Sequence, residues 1–260
     1  MKIATYNAAS VRARMPLLLE WLAENEPDVL AIQETKVEDE KFPRAELEEM
    51  GYHLALHGQK SWNGVATLTR SPHSNVRCGF MDELFPSDCR VLTCEVDGIT
   101  IVNTYVPNGS SVTSDKFEYK LKWLDRFNRY LRENFRPSDP LIWMGDINIA
   151  PKSEDVYNPK RFFGGVGHHP EEFKRLDQIL DFGLTDVFRK FHQGSGYYSY
   201  WDFIILTAFE KNFGWRIDHI YATEALAAKC VDCVIDREAR AREKPSDHTF
   251  VVATFDLAGG

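Results

Sequence analysis

The apolar run Leu141-Ile142-Trp143-Met144-Gly145 ends in Asp146-Ile147-Asn148. The run reads as a buried strand. Side chains two apart on a strand share a face, roughly 6.6 Å apart along the backbone. That spacing sets Asp146 and Asn148 side by side and sends Ile147 into the core. A carboxylate and an amide so placed can hold a water, a hard cation and a phosphate oxygen. Taken singly, such an ending also reads as a polar turn. The rest of the chain supplies matching ends. Lys2-Ile3-Ala4-Thr5-Tyr6 runs into Asn7, and Val29-Leu30-Ala31-Ile32 runs into Gln33-Glu34-Thr35. The strand from Ile99 to Tyr105 precedes the turn Pro107-Asn108-Gly109. Asp218 lies between Ile217 and His219 inside an apolar strand, and Pro245-Ser246-Asp247-His248 leads into the strand Thr249 to Phe255. A buried carboxylate is costly unless paired or metal-bound, so Asp218 needs a histidine or a cation beside it. Polar groups gathered at strand ends mark sites in layered sheet proteins.

The elements that must position these groups are a mixed set. Helices are predicted at about 10–25, 39–50, 114–134 and 170–182, with Ser10 and Ser114 as N-caps of the first and third. Further strands are predicted at about 52–57, 64–70, 91–96, 99–105, 141–146, 216–222, 230–235 and 249–256. Asp97-Gly98 joins 91–96 to 99–105 as a hairpin turn. Two packed sheets with helices outside use this inventory. The loops at 58–63, 107–114, 157–170 and 195–214 are long and rich in Gly, Asn and aromatics, the composition of specificity loops.

The chain has 260 residues, with no linker, repeat or low-complexity tract to divide it. One domain over 1–257 with a short tail at 258–260 is expected. No apolar run reaches the roughly 18 residues of a membrane span, and Met1-Lys2-Ile3 enters a strand at once, so a cytoplasmic protein is expected. Five cysteines fit a reducing compartment. Cys230-Val231-Asp232-Cys233 lacks the second pair that a zinc ribbon needs and reads as buried thiols. Thirty-one basic against 39 acidic residues give a net charge of −8, which argues against broad coating of nucleic acid but leaves room for a local basic groove.

Taken in order, Thr5-Tyr6-Asn7, Gln33-Glu34-Thr35-Lys36, Asn63-Gly64-Val65-Ala66, Asn103 to Gly109, Gly145 to Pro151, Gly214 to His219 and Pro245-Ser246-Asp247-His248 identify a resemblance over 1–257. The chain resembles the exonuclease III family of apurinic/apyrimidinic endonucleases, within the endonuclease/exonuclease/phosphatase superfamily. The stretch Lys116 to Leu124 and the Ser246-Asp247-His248 ending favour the DNA-repair branch over lipid and inositol phosphatases. The resemblance implies an α/β fold, a four-layer sandwich of two packed mixed β-sheets flanked by helices. It implies a divalent metal, Mg²⁺ or Mn²⁺, held by Glu34 with Asn7 and Asp247 nearby. Asp146, helped by Asn148, would orient or deprotonate the attacking water. Asp218 would orient His248 toward the phosphate. Tyr105 would donate to the phosphate or assist as phenolate. Tyr200, Trp201, Asn108, Lys116 and Gly167 would contact DNA. The implied substrate is double-stranded DNA with abasic sites or 3′-blocked ends, cut by a monomer at the nucleoid with no obligate protein partner and no membrane.

Two departures stand out. Family members carry a second Asn two residues after the first, where this chain has Ala9. The family's loop over the abasic sugar runs roughly Trp-Phe/Trp-Asp-Tyr-Arg, whereas this chain reads Tyr200-Trp201-Asp202-Phe203-Ile204-Ile205-Leu206. The apolar triplet is expected to pack inward; a wedge into a base step or a protein contact are the alternatives. Gly164-Gly165-Val166-Gly167-His168-His169 is expected to border the DNA groove with an exposed histidine pair, its small residues leaving room for an extruded abasic nucleotide. A mainly 3′-end-processing exonuclease, a small-molecule or lipid phosphoesterase and a non-cutting damage-binding protein are the other readings. The presence of Glu34, Asp146 and His248 disfavours the last.

Overall fold

A computed structural model describes residues 1–81 and 88–257; the expected tail at 258–260 lies outside them. In chain order come β1 (Lys2–Asn7), α1 (Val11–Asn25), β2 (Val29–Gln33), α2 (Ala45–Glu49), β3 (His53–His57), β4 (Val65–Thr69), β5 (Ser74–Cys78) and β6 (Val91–Val96). Next are β7 (Ile99–Tyr105), α3 (Asp115–Asn134), β8 (Leu141–Asp146), α4 (Pro159–Phe162), α5 (Pro170–Leu180) and β9 (Leu184–Asp186). The described chain closes with β10 (Asp218–Thr223), α6 (Glu224–Ala228), β11 (Cys230–Ile235), α7 (Arg237–Arg240) and β12 (Val251–Phe255).

These elements form two mixed sheets, ordered β11-β12-β1-β2-β4-β3 and β5-β6-β7-β8-β10-β9. Each contains one parallel pair, β1 with β2 and β7 with β8. Parallel neighbours need a crossover, and α1 and α3 supply it on the outer face of each sheet. Alternate residues of the paired strands therefore meet two different apolar layers. Ile3, Val29 and Ala31 face Ile101, Ile142, Met144 and Ile220 between the sheets. Ala4, Leu30 and Ile32 face Leu18 and Trp21 of α1. Val102 and Trp143 face Trp123 and Phe127 of α3 and Leu176 of α5. Burial on both faces explains why Val29–Ile32 and Leu141–Met144 read as unbroken apolar runs.

A polar strut crosses the inter-sheet layer beneath the parallel strand ends. Gln33 Nε2 donates to Asn103 Oδ1 at 2.8 Å, and Asn103 Nδ2 donates to the Ala66 carbonyl at 2.9 Å. Thr5 Oγ1 hydrogen-bonds both polar atoms of the Gln33 amide. Buried amides kept in an apolar layer with their partners satisfied fix one sheet against the other.

The Asp97-Gly98 turn has positive φ at both residues, 50° and 76°, as a two-residue hairpin requires. Ser114 caps α3 as expected, accepting the Phe117 N–H at 3.3 Å. Ser10 does not cap α1. Its φ is 119° and its side chain makes no cap bond, because the α1 entry is held instead by backbone bonds of Ser10 and Val11 to the Glu34 and Thr35 carbonyls. The helix expected over 39–50 is divided into a 3₁₀ turn, Asp39–Lys41, and α2, with Pro43 between them. The strand expected at 216–222 begins only at Asp218, since Trp215 pairs with Tyr200 and Val156 as isolated bridges.

Candidate active site

The carboxyl ends of the parallel strands collect at one edge of the two sheets, where sites form in such folds. Asn7 closes β1, Glu34 follows β2, and Asp146 closes β8. Asn7 Nδ2 donates to Glu34 Oε1 at 2.9 Å and to Asp146 Oδ2 at 2.8 Å, while its Oδ1 accepts the Ala9 N–H at 2.9 Å. The amide thus turns its donor side to the carboxylates and fixes both. Glu34 and Lys36 have φ of 51° and 53°, a bend that brings Lys36 Nζ to 2.8 Å from Glu34 Oε2. Burial alone would raise the Glu34 carboxyl, but the hydrogen bonds from Lys36 and Asn7 outweigh it and hold Glu34 below the usual range. Glu34 is therefore ionised.

Asp218 begins β10, opposite Asp146 in the antiparallel ladder. Its Oδ2 lies 2.8 Å from His248 Nδ1 and accepts Ser199 Oγ at 2.7 Å. Ser199 Oγ in turn accepts the N–H groups of Ile217 and Asp218. The far ring nitrogen of His248, Nε2, lies 3.8 Å from Asp146 Oδ2. Burial opposes a charge on His248, yet the Asp218 and then the Asp146 carboxylates push it up to about 10. Burial pushes Asp146 up to about 7; His248 opposes the rise, and Asp218 and Glu34 add to it. At neutral pH the pair thus comprises an imidazolium held by Asp218 and a carboxylate close to its titration point, the condition for a general base.

Asn148 reaches the cleft by a route that alternation along a strand does not describe. β8 stops at Asp146, and Asn148 takes φ 53° with its N–H on Asp146 Oδ1 at 2.9 Å, an Asx-type turn. Ile147 is buried as expected. Asn148 Nδ2 donates to the Val106 carbonyl, and Asn148 Oδ1 accepts from Asn108 Nδ2 at 3.1 Å. Tyr105, at the end of β7, lies under the Arg90 guanidinium, 4.6 Å from its ring centroid. Burial and the Glu34 and Asp146 carboxylates push its phenol well above the usual value. A phenol so placed favours the protonated form, which can donate a hydrogen bond.

The cleft encloses about 330 Å³. Glu34, Tyr105, Asn108, Asp146, Asn148, Gly167, Tyr200, Asp247 and His248 line it together with Phe162, Trp215 and Ile217. Asn7 and Asp218 stand behind this surface, bonded to the groups in front. Two expected contacts are not brought to the cleft. Trp201 is 1% exposed, with its ring edge-on to Phe209 and its indole N–H on Asn212, so it supports the loop. Lys116 stands exposed in the first turn of α3, outside the lining. Gly167 has φ 83°, and a Cβ there would lie 3.3 Å from the Trp215 ring. The histidines beside it are not an exposed pair. His168 is buried with Nδ1 at 2.7 Å from the Ala150 carbonyl, and His169 caps α5 through the Glu171 N–H.

The apolar triplet does not pack inward. Ile204 and Leu206 are 87% and 93% exposed, and Ile205 lines the cleft. Asp202 Oδ1 accepts the Ile204 N–H at 2.8 Å and forms a turn that directs the triplet outward. Trp201, Tyr198 and Ala208 already fill the inner side. Ser199, Lys36 and Trp215 are site neighbours that the sequence reading did not assign. Lys36 had a signal, a cation two residues after the key glutamate; Ser199, in a Tyr-Ser-Tyr loop, had none.

The carboxylates gathered at the cleft are the groups suited to a divalent cation. Asp146, Asp218 and His248 each offer an atom within 4.8 Å of the others. Asp218 Oδ2 serves His248 and Ser199, while Asp218 Oδ1 is buried without a hydrogen-bond partner. Glu34 and Asp247 both present carboxylates to the cleft, a hard oxygen set suited to Mg²⁺ or Mn²⁺. Asn7 Nδ2 holds Glu34 in place, and its Oδ1 accepts the Ala9 N–H.

Residues 4–248 match the profile of the Endonuclease/Exonuclease/phosphatase family. Exodeoxyribonuclease III of Haemophilus influenzae is 36% identical over 98% of this chain and 100% of its own length. A solved AP endonuclease from Archaeoglobus fulgidus superposes with a TM-score of 0.95 at 40% identity, covering 99% of this chain and 100% of that one. A structure of the 3′ phosphatase NExo from Neisseria, bound to product DNA hairpin, superposes at 0.94 with 37% identity and the same coverage. The chain belongs to the endonuclease/exonuclease/phosphatase family, in its exonuclease III branch.

Proposed function

We propose that this nuclease cuts duplex DNA on the 5′ side of an abasic site, leaving a 3′-hydroxyl, and also clears 3′-phosphate and 3′-phosphodiester ends with some 3′→5′ exonuclease action. The observation that carries this reading is the alcove of Phe162, Trp215 and Ile217 beside the Asp146–His248 pair. It offers apolar walls to a sugar, which suits a nucleotide that has lost its base. Extrusion costs least where the base is already missing.

Asp146 takes the proton of the attacking water, which Asn148 helps to orient. The water oxygen bonds to phosphorus, and the bond to the upstream 3′-oxygen breaks. His248, held through Nδ1 by Asp218, presents its other N–H to a phosphate oxygen, and Tyr105 donates a second hydrogen bond. Mg²⁺ or Mn²⁺ held by Glu34 and Asp247 would supply Lewis-acid neutralisation of the charge on phosphate and leaving oxygen. All of these residues come from one chain, which supports a monomer. Among the described residues no helix is long and apolar enough to cross a membrane; action at the nucleoid follows from the substrate proposed.

Gly167 tests the lesion choice. Gly167→His fills the alcove against Trp215, and Gly167→Ala carries the same backbone strain with far less bulk. The expected result is loss of abasic incision in Gly167→His alone, with 3′-phosphate release retained by both. Unchanged abasic incision in Gly167→His refutes the alcove as the seat of the extruded sugar, and loss in both variants alike assigns the effect to strain.

A further inference from the structure

Lys120 and Glu172 form an ion pair with both side chains 0% exposed, Nζ to Oε1 at 2.5 Å. Neither touches the cleft, and a pair so placed must offset the cost of desolvating both charges. What it holds explains its position. An ammonium has three donors. Lys120 spends one on Glu172, one on the Asn148 carbonyl at 2.7 Å and one on the Asn108 carbonyl at 3.2 Å. Glu172 Oε1 also accepts the Gly167 N–H at 3.1 Å, and its Oε2 accepts the His169 N–H at 3.1 Å. One pair, reaching from α3 to α5, therefore ties down the backbones of three cleft loops.

We propose that the Lys120–Glu172 pair is the positioning element of the site, fixing Asn148 and Asn108 against the Gly167 wall before substrate arrives. The consequence is geometric. The Asn148 side chain takes its place from Asn108 Nδ2 and from the Val106 carbonyl. Both asparagine backbones hang on the same ammonium. A shift of one loop moves the water-orienting amide relative to Asp146 and alters the alcove wall together with it. Misplacement by about 1 Å can cost about 10²-fold in rate, and such a loss falls on turnover rather than on binding.

This inference rests on the abasic-site reading only for its kinetic arm. Lys120→Met and Glu172→Gln are compared with wild type by hydrogen exchange at the Gly167 amide and at the Ala150 amide, which donates to the Gly167 carbonyl at 2.7 Å, and by steady-state incision of an abasic duplex. The expected result is exchange about tenfold faster at those two amides with Val102 unchanged, kcat lower by about 10- to 100-fold, and KM within about threefold of wild type. Wild-type exchange at Gly167 and Ala150 overturns the proposal, as does faster exchange with an unchanged kcat or with the loss confined to KM. If Lys120→Met does not fold, Glu172→Gln decides by the same criteria. If wild type itself fails to incise, the abasic-site reading fails, and the exchange arm still decides whether the pair fixes the loops.

Discussion

Asp218→Asn removes the charge that sets the protonation of His248 and leaves the side-chain volume in place. In the wild type the rise of His248 from 6.5 to about 10 corresponds to about 5 kcal/mol of preference for the imidazolium, at 1.36 kcal/mol for each tenfold change. Burial opposes that rise, and Asp218 is the largest favourable cause, so its loss lets His248 fall back toward its ordinary value. The same substitution removes the rise that Asp218 lends Asp146, but a neutral His248 withdraws the larger opposing charge, so Asp146 is not carried to acid with it. The alkaline limb of the pH–rate profile then moves to acid. The wild type rises through about 7 as Asp146 ionises and falls only near 10 as His248 deprotonates. A return of His248 to its ordinary 6.5 leaves about a tenth of it protonated at pH 7.5, so Asp218→Asn loses about 10-fold in rate there and falls further as pH rises. Single-turnover incision from about pH 5 to 10 reads both limbs. Stability follows the same sign. The folded state binds the His248 proton more tightly than the unfolded chain. The stabilisation is therefore complete below pH 6.5 and is lost as pH rises through about 10. Denaturation across that window shows the steep fall in the wild type and not in Asp218→Asn. A wild-type pH profile in the variant, or a loss of rate equal at every pH, refutes the assignment of an Asp218-stabilised imidazolium.

Asn103→Leu severs the polar strut between the sheets and deprives one Gln33 N–H and the Ala66 carbonyl of their Asn103 partner; a loss of about 1–3 kcal/mol in urea denaturation is expected. Ile204→Ser and Leu206→Ser alter residues that are 87% and 93% exposed. Stability should stay within about 0.5 kcal/mol. KM for an abasic duplex should rise severalfold if the triplet bears on a base step, and the salt dependence of binding should not change because no charge is altered.

The parallel strands and their outer helices were legible because burial on both faces writes itself as an unbroken apolar run, as in Val29–Ile32 and Leu141–Met144. β5 was not, since every residue of Ser74–Cys78 is exposed and carries no alternation. β9 has only three residues and borrows its place from β10. Of the site, the residues at strand ends were legible as polar groups following apolar runs. The turn that places Asn148 was read as strand alternation and gave the right neighbour for a different reason. Trp201 was assigned outward and the Ile204 triplet inward; the structure reverses both, because the side that buries an aromatic loop is set by what already fills the space beneath it. Ser199 and the Lys120–Glu172 pair acquire their roles from partners 19 and 52 residues away, a distance across which local pattern carries no information.

The most direct test is incision of a labelled duplex bearing one tetrahydrofuran abasic analogue, run with Mg²⁺, with chelator and with Glu34→Ala. Cleavage on the 5′ side of the analogue that needs Mg²⁺ and vanishes in Glu34→Ala is the expected result. No cleavage of that duplex, with resection of an undamaged recessed 3′ end instead, contradicts the abasic-site assignment and makes the same cleft an end-processing nuclease. Cleavage that survives chelator and the loss of Glu34 contradicts the metal role assigned to that carboxylate.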